Sequence, residues 1–214
     1  MEIFLDSVDL SEIEELKEVI DGITTNPSLI AKSGRKDEYE GLISEICSVI
    51  KGPVSVEVVA DNHEEMIKEG LKLAKIASNI VVKLPLTYEG LISCKKLWTE
   101  HKIPVNITLC FSPGQALFAA KASACFVSPF VGRLDDINHG GLFLIRDIRT
   151  IYSNYGFDTK VLVASVRSSA HVIEAAKLGA DSITMPVKVL RQLLSHPLTD
   201  YGLAIFEKDW SAKK

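Results

Sequence analysis

The sequence predicts an α/β protein built as a (β/α)8 barrel with an additional C-terminal helix. Short apolar runs rich in β-branched residues alternate with longer stretches of helical periodicity along the whole chain. Eight such runs can be counted, and eight strand and helix units in 214 residues average about 27 residues each, near the lower end for this barrel. Neither a GxGxxG turn nor a P-loop is present, which disfavours a doubly wound open sheet.

The predicted elements follow in a regular order. The strands are expected at 3–6, 22–25, 54–59, 80–85, 104–111, 125–131, 160–165 and 181–186. Asp9 is a predicted N-cap, with Glu12 three residues later. The first helical stripe after it consists of Leu10, Ile13, Leu16, Val19 and Ile20, and a later one of Met66, Ile67, Leu71, Leu73 and Ala74. No linker or low-complexity tract interrupts the chain, so residues 1–214 are predicted to be one domain.

The region after the eighth unit, residues 198–214, is predicted to be a terminal helix and tail. It carries an apolar stripe at helical spacing, made of Leu198, Tyr201, Ile205, Phe206 and Trp210. An exposed stripe of this size is a liability, so we expect it to be covered. Either the helix folds back over its own barrel or it packs against another subunit.

Composition and charge exclude several classes of protein. The chain is 47% hydrophobic and carries a net charge of -4, with no basic cluster larger than the Lys213 and Lys214 tail, so nucleic acid is not an expected partner. Four cysteines lie singly in apolar runs, which favours buried free thiols in a reducing compartment. Acidic residues near the N-terminus do not fit a signal peptide, and no apolar run is long enough to cross a membrane. A cytoplasmic location without membrane contact is therefore expected.

Chemistry in a barrel of this kind is placed at the carboxyl ends of the strands and in the loops after them. The polar residues at those predicted ends are Asp6, Thr24, Thr25, Asn26, Glu57, Lys83, Asn106, Thr108, Ser128, Arg133, Ser165 and Arg167.

Lys83 is the most informative of these residues, because it lies inside the apolar run IVVKLP. Desolvation disfavours the ammonium form, and a neutral amine is a nucleophile toward carbonyls. The alternative is a lysine with a buried stem and a charged end that reaches water. Glu57 is under the same desolvation pressure and needs a polar partner. Asp6 ends the first strand, where a helix cap or a structural ion pair is the alternative to a catalytic role.

The other polar residues favour a phosphorylated polar ligand. Asn106 and Thr108 are two residues apart and face the same side of one strand, in an otherwise apolar run. Asn26 precedes Pro27, which is also typical of an N-cap. Arg133 and Arg167 follow late strands, and Arg167 lies just before a predicted helix start, an arrangement that suits a phosphate; surface ion pairs are the alternative.

Metal and serine-nucleophile chemistry have little support. The five histidines are scattered and never fall at ligand spacing, and no GxSxG elbow is present. The inventory of one amine, two carboxylates, amides, hydroxyls and two arginines instead favours carbonyl chemistry on a phosphorylated substrate through a Schiff base.

Six segments closely resemble the small, single-domain transaldolases, the group that also contains the fructose 6-phosphate aldolases. They are GITTNPSLI, VSVEVV, IVVKLP, NITLCFSPGQALFAAKA, VSPFVGRLDD and VLVASVRS, and they occur in the family's order over essentially the whole chain. The resemblance implies that Lys83 forms the Schiff base, Asp6 is the general base, and Glu57 and Thr108 hold a proton-carrying water. In that mechanism the protonated imine is the electron sink, so no metal and no organic cofactor is expected. It implies that Asn26 and Asn106 bind substrate hydroxyls, and that Ser165, Arg133 and Arg167 bind the phosphate. Thr24, Ser128 and Phe130 complete the predicted substrate-binding set.

The resemblance also separates the two activities of the group. Glu57, Phe130 and Arg167 are the transaldolase choices, where the aldolases have glutamine, tyrosine and lysine. The expected reaction transfers a dihydroxyacetone unit from sedoheptulose 7-phosphate to glyceraldehyde 3-phosphate, in the non-oxidative pentose phosphate pathway. An aldolase that releases free dihydroxyacetone and a catalytically inactive binding barrel are the alternatives. The family further implies a homodecamer or a homopentamer in which the terminal helix reaches a neighbouring subunit.

Overall fold

Eight parallel strands pair in sequence order and close into a barrel in the computed structural model, which describes residues 1–212. The closing pair joins the first strand to the eighth, with Phe4 opposite Thr184. The strands are β1 (Glu2–Asp6), β2 (Gly22–Thr24), β3 (Val54–Glu57), β4 (Ile80–Pro85), β5 (Val105–Cys110), β6 (Phe126–Pro129), β7 (Lys160–Val163) and β8 (Ser182–Met185). The predicted fold class and all eight strands are confirmed. Some strands end a few residues earlier than predicted, because the last apolar residues of the predicted runs lie in the following loops.

Helices cover the outer face of the barrel. They are α1 (Leu10–Leu16), α2 (Pro27–Lys32), α3 (Tyr39–Val49), α4 (His63–Leu73), α5 (Tyr88–His101), α6 (Pro113–Lys121), α7 (Val131–Asp135), α8 (Gly141–Tyr155), α9 (Ser169–Lys177), α10 (Val187–Leu194) and α11 (Pro197–Ser211), and a short 3-10 turn covers Lys36–Glu38. No helix in residues 1–212 combines the length and the apolar character that a membrane span requires.

Two predicted caps are confirmed. The Asp9 carboxylate accepts hydrogen bonds from the main-chain N–H groups of Ser11 and Glu12 at the start of α1. The Asn26 side chain accepts from the Leu29 N–H, with Pro27 in the first turn of α2. The predicted first stripe is too long, because α1 ends at Leu16 and Val19 lies beyond it on the surface.

The barrel interior has an apolar layer below a polar one. Phe4, Val81, Phe126 and Leu162 form a separate apolar cluster inside the strands, and the rings of Phe4 and Phe126 meet edge to face at 5.8 Å. Because side chains two residues apart share a face, the next inward positions after Phe4, Val81 and Phe126 are Asp6, Lys83 and Ser128. The cluster therefore closes the amino end of the barrel and places polar side chains at the carboxyl end.

The terminal helix α11 lies apart from this core. It contributes no buried residue, and Leu198, Phe206 and Trp210 are each more than two-thirds exposed. The alternative in which this helix buries its stripe on its own barrel is therefore wrong. Residues 213 and 214 of the predicted tail lie outside the described part of the chain.

The expectation of buried free thiols is confirmed for three of the four cysteines. Cys47, Cys94 and Cys110 are buried, and Cys125 is partly exposed. Burial raises the pKa of the Cys47 thiol to about 11 and that of Cys110 to about 12, so these groups stay protonated and unreactive at neutral pH.

Candidate active site

A cavity of about 640 Å³ opens at the carboxyl ends of the strands. It brings together ten of the twelve predicted site residues, which are Asp6, Thr24, Asn26, Glu57, Lys83, Ser128, Phe130, Arg133, Ser165 and Arg167. Asn106 and Thr108 lie outside its lining.

Lys83 is held inside the barrel by two partners. Its Nζ lies 3.0 Å from Oε2 of Glu57 and donates a hydrogen bond to the main-chain oxygen of Thr25, also at 3.0 Å. Glu57 and Lys83 are direct neighbours across the β3 and β4 pair, so the strand register itself brings them together. Only 6% of the Lys83 side chain is exposed, which contradicts the alternative of a lysine that reaches water. Burying an ion pair costs desolvation free energy. This cost is recovered only when both charged groups have close hydrogen-bonding partners.

Asp6 is the second carboxylate of the cavity. Its Oδ1 accepts a hydrogen bond from Oγ1 of Thr24 at 2.9 Å. Desolvation raises the pKa of Asp6 above its ordinary value of 3.8, against the opposing effects of the Lys83 charge and the Thr24 hydrogen bond. A carboxyl group that takes up a proton more readily than usual is suited to alternate between base and acid.

Thr184 is a residue of the cavity that sequence reasoning missed. Its hydroxyl lies 2.6 Å from that of Thr24. Since the single hydroxyl proton of Thr24 is donated to Asp6, Thr184 must be the donor of this second bond. The two threonines form a chain of hydrogen bonds that ends on the Asp6 carboxylate. The sequence did carry a signal, because Thr184 is a polar residue at an inward-facing position of the last strand.

Asn106 lies in a buried layer beneath the cavity. Its amide nitrogen donates to Oγ of Ser55 at 3.1 Å, and its amide oxygen accepts from Oγ of Ser128 at 2.8 Å. Ser55 was also missed, although it lies two residues before Glu57 and therefore shares its face. These hydrogen bonds fix the amide orientation of Asn106 and the hydroxyl of Ser128.

Thr108 is fully buried, and its hydroxyl has no hydrogen-bond partner among residues 1–212. The strand register shifts between Ile107 and Cys110, and Leu109 between them has φ 60°, in the left-handed region. Leu109 lines the cavity, and Thr108 does not. Irregularities of this kind re-aim side chains next to active sites, and a branched residue at positive φ is a strained choice.

Arg133 and Arg167 approach the cavity from different elements. The guanidinium of Arg133, on α7, lies 5.0 Å from the centre of the Phe130 ring. The guanidinium of Arg167 is 2.7 Å from Oδ2 of Asp136, and about half of each side chain is exposed. Arg167 directly precedes the N-cap of α9, Ser168, which confirms the predicted helix start.

A glycine brings these two regions together. The N–H of Gly132 donates to the main-chain oxygen of Ser165 at 3.1 Å. A Cβ atom at position 132 would lie 2.1 Å from that oxygen and 2.7 Å from Nε of Arg167. Ser165 itself has φ 59°, so the loop after β7 turns sharply toward α7. Within residues 1–212 no group of three His, Cys, Asp or Glu side chains is arranged to hold a metal ion.

A barrel with a buried lysine and two carboxylates at its open end belongs to the broad class of (β/α)8-barrel enzymes. A family model described as "Transaldolase/Fructose-6-phosphate aldolase" matches residues 3–213. The chain belongs to this family, as the sequence resemblance implied.

Curated relatives match over nearly their whole length. A "Probable transaldolase" of Thermodesulfovibrio yellowstonii is 54% identical, with all of both chains covered. One of Caulobacter vibrioides is 56% identical, covering 99% of this chain and 97% of the relative.

Solved structures confirm the fold alone. A 3-hexulose-6-phosphate synthase has a TM-score of 0.65 at 17% identity, covering 87% of this chain and 90% of that one. A thiamine phosphate pyrophosphorylase from Pyrococcus furiosus has a TM-score of 0.59 at 14% identity, covering 86% and 85%.

Proposed function

We propose that the protein is a transaldolase, which moves a dihydroxyacetone unit from a ketose phosphate to an aldose phosphate through a Schiff base on Lys83. The observation that carries this proposal is the position of the Lys83 amine, buried in the cavity between the Glu57 carboxylate and the Thr25 carbonyl. The names of the curated relatives support it. The reaction is sedoheptulose 7-phosphate with glyceraldehyde 3-phosphate giving erythrose 4-phosphate and fructose 6-phosphate, within the non-oxidative pentose phosphate pathway.

The first step is attack of the neutral Lys83 amine on the C2 carbonyl of the ketose. Glu57 is close enough to remove the ammonium proton beforehand. The carbonyl oxygen becomes a hydroxyl group, which leaves as water after taking up a proton, and a protonated imine remains. Glu57 is the nearby group that exchanges these protons, and the hydroxyl of Thr108 is the proposed partner for the water that carries them.

Asp6 then acts as the base on the C4 hydroxyl. Removal of that proton breaks the C3–C4 bond, and the bonding electrons move onto the imine nitrogen to form an enamine. The aldose phosphate leaves. An acceptor aldehyde enters, the enamine attacks its carbonyl carbon, and Asp6 returns the proton to the new alkoxide. Water then adds to the re-formed imine, and reversal of the first step releases the new ketose phosphate and regenerates the Lys83 amine.

The remaining cavity residues hold the substrate. Arg133, Arg167 and Ser165 are proposed to bind the phosphate, since guanidinium groups match phosphate oxygens in pairs. Asn26 offers its amide N–H groups to a substrate hydroxyl while its oxygen caps α2. Thr24, Ser128 and Asn106 belong to the hydrogen-bonded groups beside and beneath the three-carbon unit.

Two residues, Glu57 and Phe130, favour transfer over release of free dihydroxyacetone. Phe130 has no hydroxyl with which to bind a catalytic water, so proton transfer rests on the Glu57 carboxylate. In the family both residues are the transaldolase choices.

Covalent trapping tests the proposal. The protein is incubated with fructose 6-phosphate and borohydride, and the adduct is mapped by mass spectrometry. We expect a three-carbon or six-carbon adduct on Lys83, and Lys83→Met should lose both trapping and at least about 1,000-fold of the turnover. Lys160→Met, at the exposed start of β7, is the matched control and should retain both.

Three outcomes contradict the proposal in different ways. Trapping in Lys83→Met shows that another lysine reacts. No trapping in the unaltered protein supports the inactive binding barrel. Free dihydroxyacetone formed at the same rate with and without glyceraldehyde 3-phosphate supports the aldolase.

A further inference from the structure

His171 contacts the main chain of Arg167. Its position in the sequence gave no functional signal. Its Nδ1 is 3.3 Å from the backbone nitrogen of Arg167, and its Nε2 is 3.1 Å from Oδ2 of Asp135. The Arg167 N–H can only donate, so Nδ1 must carry a lone pair. The single imidazole proton is therefore on Nε2, where it is donated to Asp135.

Asp135 is itself fixed in place. Its other oxygen, Oδ1, accepts a hydrogen bond from the N–H of Gly141 at 2.9 Å, where α8 begins. The adjacent Asp136 binds the guanidinium of Arg167. Arg167 is thus held at both ends, at its main chain through His171 and at its side chain through Asp136. The His171 side chain is only 17% exposed, which limits competition from water for these bonds.

We infer that Asp135 and His171 are positioning residues for phosphate recognition, acting through Arg167. The pair fixes the loop after β7 and so fixes the direction in which the Arg167 side chain leaves the main chain. This inference rests on the proposed role of Arg167 as a phosphate ligand. Neither Asp135 nor His171 lines the substrate cavity, so neither touches the substrate.

The tautomer of His171 separates positioning from a general structural role. In Asp135→Asn one of the two oxygens becomes an NH2 group. If this group faces His171, the imidazole proton must move to Nδ1, where it opposes the Arg167 N–H. If it faces Gly141 instead, two donors oppose each other there. Either arrangement disturbs the loop that carries Arg167 with almost no change in side-chain volume.

The test combines kinetics and NMR on the full-length protein. We expect Asp135→Asn to raise KM for fructose 6-phosphate about 10-fold with little change in kcat, and to leave the reaction of unphosphorylated fructose unchanged. Asp158→Asn, an exposed residue before β7 at the opposite end of the barrel, should change neither. Nitrogen chemical shifts of 15N-labelled histidine, assigned with His171→Gln, should show the Nε2–H tautomer in the unaltered protein. In Asp135→Asn they should show Nδ1–H where the new NH2 group faces His171, and Nε2–H where it faces Gly141.

The outcomes distinguish this inference from the proposed function. An Nδ1–H or cationic His171 in the unaltered protein at neutral pH overturns the inference, and this measurement does not depend on whether Asp135→Asn folds. Equal losses on phosphorylated and unphosphorylated substrate in Asp135→Asn also overturn it. If Arg167→Ala loses both activities equally, the phosphate site fails and the inference fails with it. An unchanged KM in Asp135→Asn beside a selective Arg167→Ala overturns the inference alone.

Discussion

At the scale of single residues, three charged side chains share the upper interior of the barrel. Asp6, Glu57 and Lys83 lie on β1, β3 and β4, and the strand register places Lys83 directly beside Glu57. Burying charges costs stability unless partners compensate them, and Asp6 has only hydroxyl and longer-range charge partners. We therefore expect the buried charge of Asp6 to lower the stability of the fold.

We predict that Asp6→Asn abolishes turnover and stabilises the protein at neutral pH by about 1 kcal/mol, or about 2 to 4 °C in Tm. The amide keeps an oxygen for Thr24 and removes a buried charge. Because the pKa of Asp6 is raised on folding, the folded state holds more protons than the unfolded state between the ordinary value and the raised one. The free energy of unfolding contributed by Asp6 therefore falls as pH rises through that interval.

Thermal melts across the acidic range check this prediction. The stability gained by Asp6→Asn over the unaltered protein should grow as pH rises through that interval. A variant that is less stable at neutral pH would show that the carboxylate is a net stabilising group.

We predict that Glu57→Gln shifts the enzyme toward release of free dihydroxyacetone, with transfer to the acceptor reduced about 100-fold. The substitution removes the carboxylate and so changes how the bound water passes protons, while Lys83 remains to form the imine. Product analysis with and without acceptor measures the ratio, and borohydride trapping should persist. Glu65→Gln, on the exposed surface of α4, is the control. Unaffected transfer in Glu57→Gln would make the carboxylate structural.

Most of the site could be predicted from residue types, and the exceptions have a physical reason. Lys83 and Glu57 were visible because charges inside apolar runs need an explanation. The position of Leu109 in the cavity lining had no signal, since the sequence does not distinguish a leucine at positive φ from any other strand leucine. The partners of Asn106 could not be predicted either, because they depend on which layer of the barrel each inward side chain reaches.

At the scale of elements, the contact between α7 and the loop after β7 sets the geometry of both candidate phosphate arginines. We predict that Gly132→Ala destabilises the protein by about 1 to 3 kcal/mol and weakens binding of phosphorylated substrate, because the new methyl group would meet the Ser165 oxygen at 2.1 Å. Gly41→Ala, in α3 with no atom within 4 Å of the new methyl group, should instead stabilise by about 0.5 to 1 kcal/mol. Chemical denaturation and KM for fructose 6-phosphate measure both. If the two variants have the same stability and the same KM, the loop after β7 moves to accommodate the methyl group and the prediction is wrong.

The strands were more predictable than the helices between them. Alternation of β-branched runs with helical spacing determines eight strand units. It does not show that two of those units contain two helices each, α2 with α3 and α7 with α8. Those breaks arise from local turn geometry, such as Asn138 at φ 59° just before Gly140 and Gly141.

At the scale of the whole molecule, α11 carries an apolar stripe that is left exposed by the rest of residues 1–212. We predict a homodecamer, or failing that a homopentamer, in which α11 packs on a neighbouring subunit. Burying each large apolar side chain of the stripe contributes about 1.5 to 3 kcal/mol. Deleting residues 198–214 should therefore break the assembly and expose apolar surface.

Light scattering at micromolar concentration measures the assembly. Asp209→Ala, an exposed residue on the same helix outside the stripe, should leave it intact. A full-length protein that runs as a monomer contradicts the prediction and leaves the catalytic proposal untouched.

The apolar cluster inside the strands also bears on the order of events in the proposed reaction. Phe4, Val81, Phe126 and Leu162 close the amino end of the barrel, so a ligand reaches Lys83 from the mouth at the other end. The aldose phosphate released from the donor must leave through this mouth before the acceptor can enter by it. Donor and acceptor then occupy the cavity in turn, a ping-pong sequence, and double-reciprocal plots at several acceptor concentrations should be parallel. High concentrations of acceptor should compete with the donor for the free enzyme.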